Sequence, residues 1–172
     1  MVREKLDKRR KSRQKAINSR KARLTRNSRK TSQPRTYRKT YDHLKTKETK
    51  TIHIQMTKKL IDAVIEGIQE KKGHNIVVVD LSEIYDTLTN YLIICEGNSP
   101  TQVAAITDSV KEFARKKAGA KPTATDGTLN NIWVALDYSE VAVHIFVPDA
   151  REYYDLEGLW EDAKIEEIPN LD

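Results

Sequence analysis

The sequence predicts an α/β fold in which packed helices cover a mixed five-stranded sheet. Two short, continuous apolar runs, 76–80 and 91–95, have the composition of strands that are buried on both faces. Two longer segments carry apolar residues at helical spacing, and a later pair of alternating segments is typical of a β-hairpin. Together these observations give the order α-β-β-α-β-β-β-α, which implies helices packed on a mixed sheet.

The first helix is predicted over 57–72, after a linker at 46–55. Its apolar residues recur at the spacing of one helix face: Leu60, Ile61, Val64, Ile65 and Ile68. Lys71 and Lys72 followed by Gly73 indicate its end, because cations suit the last turn and glycine suits the left-handed cap.

The second helix has the sharpest local signal. Ser99 can cap it, Pro100 suits the first helical position, and Gln102 completes a capping box. The helix is predicted to run to about 118 and to end at Gly119. Its inner face is expected to consist of Val103, Ile106, Val110 and Phe113.

The remaining strands and the last helix follow in the second half. A strand at 122–125 is predicted at an edge of the sheet, because proline cannot donate to the ladder. Segments 132–137 and 141–147 are predicted to form the hairpin, and Asp149 is predicted to cap the last helix. The glutamate-rich residues after Trp160 are predicted to be a polar C-terminus.

Charge divides the chain of 172 residues into two parts. Residues 1–55 hold 20 Lys and Arg against 4 Asp and Glu, a formal charge of +16. Residues 56–172 hold 11 against 21, a formal charge of −10, so the +6 of the whole chain is the difference between them. We therefore predict a basic N-terminal extension over 1–55, disordered when free, and one folded domain over 56–172.

The basic extension leaves three interpretations open. It is a solvated arm that contacts RNA phosphate without sequence specificity, a targeting segment, or an upstream addition if Met56 is the native start. No apolar run approaches the roughly 20 residues of a membrane span, and no secretory signal is recognisable. A cytoplasmic protein with no membrane partner is therefore expected.

The sequence lacks the motifs that common catalytic sites require. No glycine-rich turn ends in Lys-Ser or Lys-Thr, and the four histidines, at 43, 53, 74 and 144, are too scattered for a zinc site. The single cysteine, Cys95, lies in an apolar strand rather than at an exposed, reactive position. The Gly-Asn-Ser turn at 97–99 is followed by no pair of strand carboxylates that could hold magnesium. A non-enzymatic protein with no metal site and no cofactor is predicted.

One face of the predicted hairpin mixes aromatic and polar residues. Strand alternation places Trp133 and Asp137 on this face, together with His144 and Phe146 of the second strand, whereas the opposite row is aliphatic core. The mixed face is either a second core face beneath a helix or a partly exposed patch with the composition of interface hot spots. Three residues of the neighbouring helix favour the exposed patch: Arg151, Tyr153 and Tyr154.

Residues 56–172 resemble the ribosomal silencing factor, or Iojap, family. The matching stretches are 80–82, 88–99, 126–127, 133–138, 143–146 and 151–160. The most specific is a histidine-containing strand followed by Arg-x-x-Tyr-x-Leu-Glu-x-Leu-Trp. Two positions depart from the pattern of many relatives, since Asn90 replaces an aspartate and Asp126 replaces a glutamate.

The resemblance implies a domain similar in fold to nucleotidyltransferases but without their catalytic residues. It implies binding to ribosomal protein number fourteen of the large subunit, which sterically blocks subunit joining and represses translation in starvation or stationary phase, and a part in late large-subunit maturation. The family's contact surface maps onto seven residues: Trp133, Asp137, Tyr138, His144, Phe146, Arg151 and Tyr154.

Two further expectations concern partners. The acidic charge of 56–172 suits a basic ribosomal protein, and a homodimer would cover the aromatic patch of the free protein. The alternative function is that of an RNA-binding large-subunit assembly factor, which would contact ribosomal RNA through the basic extension.

Overall fold

The computed structural model describes residues 47–84, 86–160 and 162–171. Contacts divide the chain into Met1–Lys47 and Glu48–Asp172, and the second unit is described here together with Lys47. The described residues form helices α1 (Lys47–Glu70), α2 (Pro100–Phe113) and α3 (Pro148–Tyr154), a π-helical turn (Ala114–Ala118) and a 3-10 turn (Glu157–Leu159). The strands are β1 (His74–Asp80), β2 (Tyr91–Glu96), β3 (Ala124–Asp126), β4 (Trp133–Asp137), β5 (Val141–Phe146) and β6 (Lys164–Ile168). The disorder predicted for the basic extension lies outside the described residues as far as position 46.

These strands form one mixed sheet in the order β3-β4-β5-β2-β1-β6. The β2–β5 pair is parallel and the other neighbouring pairs are antiparallel. The predicted α/β class and mixed sheet are confirmed, but the sheet has six strands rather than five. The additional strand, β6, pairs with β1 at an edge, where the sequence had suggested only a polar C-terminus. Its charged, mostly exposed side chains give no apolar alternation, which is typical of protected edge strands.

The sheet has a core on each face. On one face α1 and α2 bury most of their predicted apolar stripes, Leu60, Val64, Ile68, Val103, Ile106 and Val110, although Phe113 is only half-buried. On the other face a smaller cluster lies beneath α3 and the chain that follows it. Its buried members are Val77, Val79, Leu81, Leu92, Ile94, Phe146 and Ala150.

Helix α1 differs from its prediction at both ends. It begins at Lys47, so the segment predicted to be a linker is helical. At its other end Lys72, not Gly73, takes the left-handed conformation, with φ of 53°. The Lys72 N–H donates to Gln69 O (2.9 Å) and the Gly73 N–H donates to Ile68 O (3.0 Å), which is a Schellman cap. Glycine is required at 73 because a Cβ there would overlap the Ile68 side chain.

The predicted start of α2 is confirmed, with an addition. Ser99 Oγ accepts the N–H of Gln102 at 3.2 Å. The Gln102 side chain accepts the N–H of Asn98 rather than that of Ser99, at 2.8 Å. Its Nε2 donates to the carbonyls of Lys71 and Lys72, each at 3.0 Å. Gln102 therefore joins the start of α2 to the end of α1.

The edge strand and the last helix begin differently from their predictions. The edge position of β3 is confirmed, but the strand begins at Ala124 and Pro122 lies outside it. In α3 the cap position is occupied by Val147, and Asp149 lies inside the first turn, so the predicted Asp149 cap is wrong. The reason is that Pro148 follows β5 almost at once and takes the first helical position, which shifts the cap upstream.

Candidate protein-binding site

Three aromatic side chains come together on one face of the β4–β5 hairpin. The register pairs Trp133 with Phe146 and Ala135 with His144, so alternate residues of the two strands share a face. The Trp133 indole stacks on Phe146 with ring centroids 5.0 Å apart and planes at 17°. Its Nε1–H donates to Nδ1 of His144 at 3.0 Å. The small side chain of Ala135 lies beside them in the sheet.

Helix α3 adds two tyrosines to this face. Because α3 starts immediately after β5, its last turn lies over the start of β4, and the Tyr154 ring is 4.6 Å from that of Trp133, tilted by 44°. The Tyr153 ring meets Tyr154 edge-on, with centroids 5.1 Å apart and planes at 88°. We call Trp133, His144, Phe146, Tyr153 and Tyr154 the aromatic patch.

Burial within the aromatic patch is graded. Phe146 is fully buried in the core, Trp133 and His144 are half-buried, and Tyr154 and Tyr153 are 40% and 56% exposed. The sequence left two interpretations of this face open, a second core and a partly exposed patch, and each describes one layer of it. The inner layer is a second core, and the outer layer is an exposed aromatic surface.

The protonation state of His144 follows from its surroundings. Burial lowers the pKa of His144 from 6.5 to about 4, so the ring is neutral at neutral pH. A neutral imidazole has one acceptor nitrogen. In His144 this nitrogen is Nδ1, which accepts the hydrogen bond from the Trp133 N–H. The hydrogen bond fixes the orientation of the indole as well as the tautomer of the histidine.

Arg151 lies beside the aromatic patch, but its guanidinium is turned into the protein. It donates to Glu96 Oε1 (3.0 Å), to the Asn75 carbonyl (2.6 Å) and, through Nε and Nη2, to Glu157 Oε1 (2.9 and 2.5 Å). Its side chain is only 11% exposed. Glu96 is held further by Asn75 Nδ2 at 3.1 Å and faces His74 Nε2 at 3.5 Å. We call Arg151, Glu96 and Glu157 the arginine clamp.

The other two predicted site residues lie apart from the aromatic patch. Asp137 is exposed at the far end of β4, and its carboxylate accepts the Ser139 N–H at 2.6 Å. Tyr138 is 7% exposed and belongs to the core that α1 and α2 cover, on the opposite face of the sheet. Its hydroxyl has no hydrogen-bond partner among the described residues, and burial raises its pKa to about 12.

Several apolar residues that adjoin β4 and α3 in the chain are exposed. The loop between β3 and β4 presents Leu129, which is fully exposed. Ile132 was predicted to begin the strand at 132–137 within its aliphatic core row, but it precedes β4 and is 44% exposed. Leu159 follows α3 and is 50% exposed. A single apolar residue in a loop, such as Leu129, carries no periodic signal, so its exposure cannot be predicted from the spacing of apolar residues.

Metal-ligating side chains and the single cysteine complete the description of the chemically reactive groups. No three His, Cys, Asp or Glu side chains among them are grouped so that they could hold a metal ion. Cys95 is fully buried, and this burial raises the pKa of its thiol, which opposes formation of a nucleophilic thiolate. Within the same residues, no helix has the length and apolar character needed to cross a membrane.

Comparison with known proteins gives consistent matches. The family model described as "Ribosomal silencing factor during starvation" matches residues 54–172. The ribosomal silencing factor RsfS of Halalkalibacterium halodurans is 32% identical over 112 residues, which are 65% of this chain and 94% of that protein. The chloroplastic protein Iojap of Arabidopsis thaliana is 33% identical over 81 residues, 47% of this chain and 33% of its own length. A crystal structure of a Chromobacterium violaceum protein aligns with a TM-score of 0.56 at 33% identity, covering 60% of this chain and 84% of the other.

Proposed function

The chain belongs to the ribosomal silencing factor family, and from this premise we propose that it represses translation by binding the large ribosomal subunit of cytoplasmic ribosomes. The proposed partner is ribosomal protein number fourteen, and the proposed effect is a steric block to subunit joining during starvation or stationary phase. This mechanism needs no catalysis, metal or cofactor. It needs an occluding body and enough affinity to occupy the site.

The observation that carries the proposal is the outer layer of the aromatic patch. Tyr153 and Tyr154 stand 56% and 40% exposed beside Trp133, although aromatic side chains of this size gain free energy when they are buried. Central aromatic residues of this kind dominate the binding energy of many interfaces. The formal charge of −10 on 56–172 supports a basic partner such as a ribosomal protein.

The seven residues expected at the contact surface divide into two groups under this proposal. Trp133, His144 and Tyr154 would form the contact centre over Phe146, and Asp137 would contribute at its margin because it is exposed. Tyr138 and Arg151 are largely buried, so any effect of these two on binding would act through the shape of the surface.

Subunit joining tests the proposal. Purified full-length protein is mixed with large and small ribosomal subunits, and joining is followed by sedimentation. We expect saturating protein to block joining, and Tyr154→Ala to weaken binding to the large subunit by about 2 kcal/mol, roughly 30-fold. Leu88→Ala is the matched control, because Leu88 is 97% exposed in the loop between β1 and β2. Unimpaired joining at saturation would refute the proposed function.

The charge of the basic extension favours a second candidate function, in large-subunit assembly through contact with ribosomal RNA. Residues 1–55 hold 20 Lys and Arg, so such binding would be strongly salt-dependent. Replacing the cations of 8–30 with glutamine in the full chain should then abolish large-subunit binding. If only the aromatic patch matters, these replacements leave subunit joining blocked.

A homodimer of the free protein is proposed on the same aromatic patch, because exposed apolar patches are commonly covered. Sedimentation equilibrium should show a dimer that Tyr154→Ala dissociates. A monomer at all concentrations tested would contradict it.

A further inference from the structure

We propose that Arg151 is a positioning residue, which fixes α3 on the sheet so that Tyr154 stays over Trp133, and that it does not itself contact the partner. The proposal rests on the proposed function for its binding readout only. Its structural part concerns how a short helix is held in place, and it can be tested in the free protein.

The first step is that α3 has few attachments of its own. It is a helix of seven residues, Pro148–Tyr154, with one buried residue, Ala150. Its start is fixed because the chain enters directly from β5, but Tyr154 lies at its other end. A helix this short has little stability in isolation, so its last turn depends on tertiary contacts.

The second step is that Arg151 supplies those contacts to three separate parts of the fold. It binds Glu96 at the end of β2, Glu157 in the 3-10 turn and the carbonyl of Asn75 in β1. Asn75 lies at a bulge where the register of β1 shifts, and its φ is 51°. A bulge leaves backbone groups without ladder partners, and here the Asn75 N–H donates to Asn170 Oδ1 (2.9 Å) while its carbonyl accepts from Arg151.

The third step is that the guanidinium of Arg151 is already paired with carboxylates of the protein. The side chains of Arg151, Glu96 and Glu157 are 11%, 13% and 23% exposed, so solvent screens the ion pairs only weakly. One guanidinium stands against two carboxylates, which makes the arginine clamp negative overall. Four of the five N–H donors of the guanidinium already bind three acceptor oxygens of the protein, so only one Nη2–H of this largely buried side chain is left for a partner.

The test uses Arg151→Gln, Glu96→Gln and the double variant, all in the full chain, with large ribosomal subunits as the probe. Each single variant should weaken binding about tenfold, because Tyr154 must be ordered again on binding. The double variant should be no weaker than the worse single one, since both remove the same attachment. Arg151→Lys, which keeps the charge without the planar fork, should recover part of the loss. Lys117→Gln is the control, because Lys117 pairs with Glu66 on the other face of the sheet.

A spectroscopic readout separates positioning from general stability. The ring protons of Tyr154 feel the ring current of Trp133, and in Arg151→Gln their NMR shifts should move toward those of a free tyrosine. If Arg151→Gln fails to fold, Glu157→Gln leaves the Glu96 pair in place and should give a smaller movement of the same signals. Unmoved Tyr154 signals in Arg151→Gln would overturn the proposal, and so would a Glu96→Gln variant that binds as tightly as the parent while Tyr154→Ala binds more weakly. If Tyr154→Ala itself binds normally, Tyr154 is not part of the contact surface and the NMR result alone decides this inference. Failure of the proposed function is a separate result, because it shows as unimpaired subunit joining.

Discussion

Lowering the pH should destabilise the folded protein through His144. The histidine has a pKa of about 4 in the folded state against an ordinary 6.5, because burial disfavours the imidazolium. The unfolded state therefore binds the proton first as the pH falls, and the free energy of unfolding decreases between about pH 6.5 and about pH 4. The contribution of neutral His144 to the free energy of unfolding is fully present above pH 6.5 and is lost below about pH 4.

The size of this effect follows from the interval between the two pKa values. About 2.5 units at 1.36 kcal/mol each correspond to about 3 kcal/mol. Because the ring is only half-buried, solvent screening reduces this, and we expect a loss of about 2 kcal/mol. Protonation also places a donor where Nδ1 now accepts the Trp133 N–H, so the aromatic patch itself should loosen.

Urea unfolding at pH 7 and pH 4, followed by circular dichroism, measures the effect. His144→Asn is the matched control, since an amide oxygen can accept the Trp133 N–H but does not titrate. Carboxylates lower the stability of both proteins at pH 4, so the difference between the two losses reports His144. Equal losses, or His144 ring protons that titrate near pH 6.5 in NMR spectra of the folded protein, would refute the reasoning.

Three further predictions concern local features of the fold, and thermal and urea unfolding measure them. Gly127→Ala should lower the free energy of unfolding by more than about 2 kcal/mol, because φ is 82° and a Cβ would clash with the first carbonyl of β4. Gly119→Ala is the matched control, because φ is 66° there but the space is open, and it should lower the free energy of unfolding by about 1 kcal/mol. Similar losses for the two variants would contradict the clash. Tyr138→Phe removes a buried hydroxyl that has no hydrogen-bond partner in the described part of the chain, and it should raise the free energy of unfolding by up to about 1 kcal/mol. A clear loss of stability would count against this prediction. Asn90→Asp should lower the free energy of unfolding by about 1 kcal/mol at pH 7, because the Asn90 amide donates to the Glu140 carboxylate and an aspartate there would repel it. The loss should vanish in a Glu140→Gln background.

The parts of the fold that could be predicted are those with local, periodic signals. The stripe of α1 and the continuous apolar run of β1 report burial directly, and the Ser99 cap is a signal of four adjacent residues. The alternation of β4 and β5 likewise placed Trp133, His144 and Phe146 on one face. Each of these features is decided within one element or between neighbours in the chain.

The features that escaped prediction depend on contacts between distant parts of the sequence. Strand β6 has no apolar period because its side chains are mostly exposed on both faces of the sheet, and nothing in Lys164–Ile168 points to β1 as its partner. The arginine clamp joins Arg151 to Glu96 and to the bulge at Asn75, which are 55 and 76 positions away. A charged residue in a family motif, such as Arg151, suggests contact with a partner at the surface. Only the three-dimensional structure shows that its guanidinium binds carboxylates of the protein itself.

The order within the aromatic patch bears on how tightly it can bind. Trp133 is held by the hydrogen bond to His144 and by stacking on fully buried Phe146, and Tyr154 lies against it at the end of a helix that the arginine clamp attaches to the sheet. Immobilising a side chain on binding costs about 0.5–1.5 kcal/mol, so two side chains that are already ordered spare a complex about 1–3 kcal/mol. A small surface that is fixed in advance can therefore bind a partner with little contact area, and variants that loosen it should bind more weakly even when every contact residue is present.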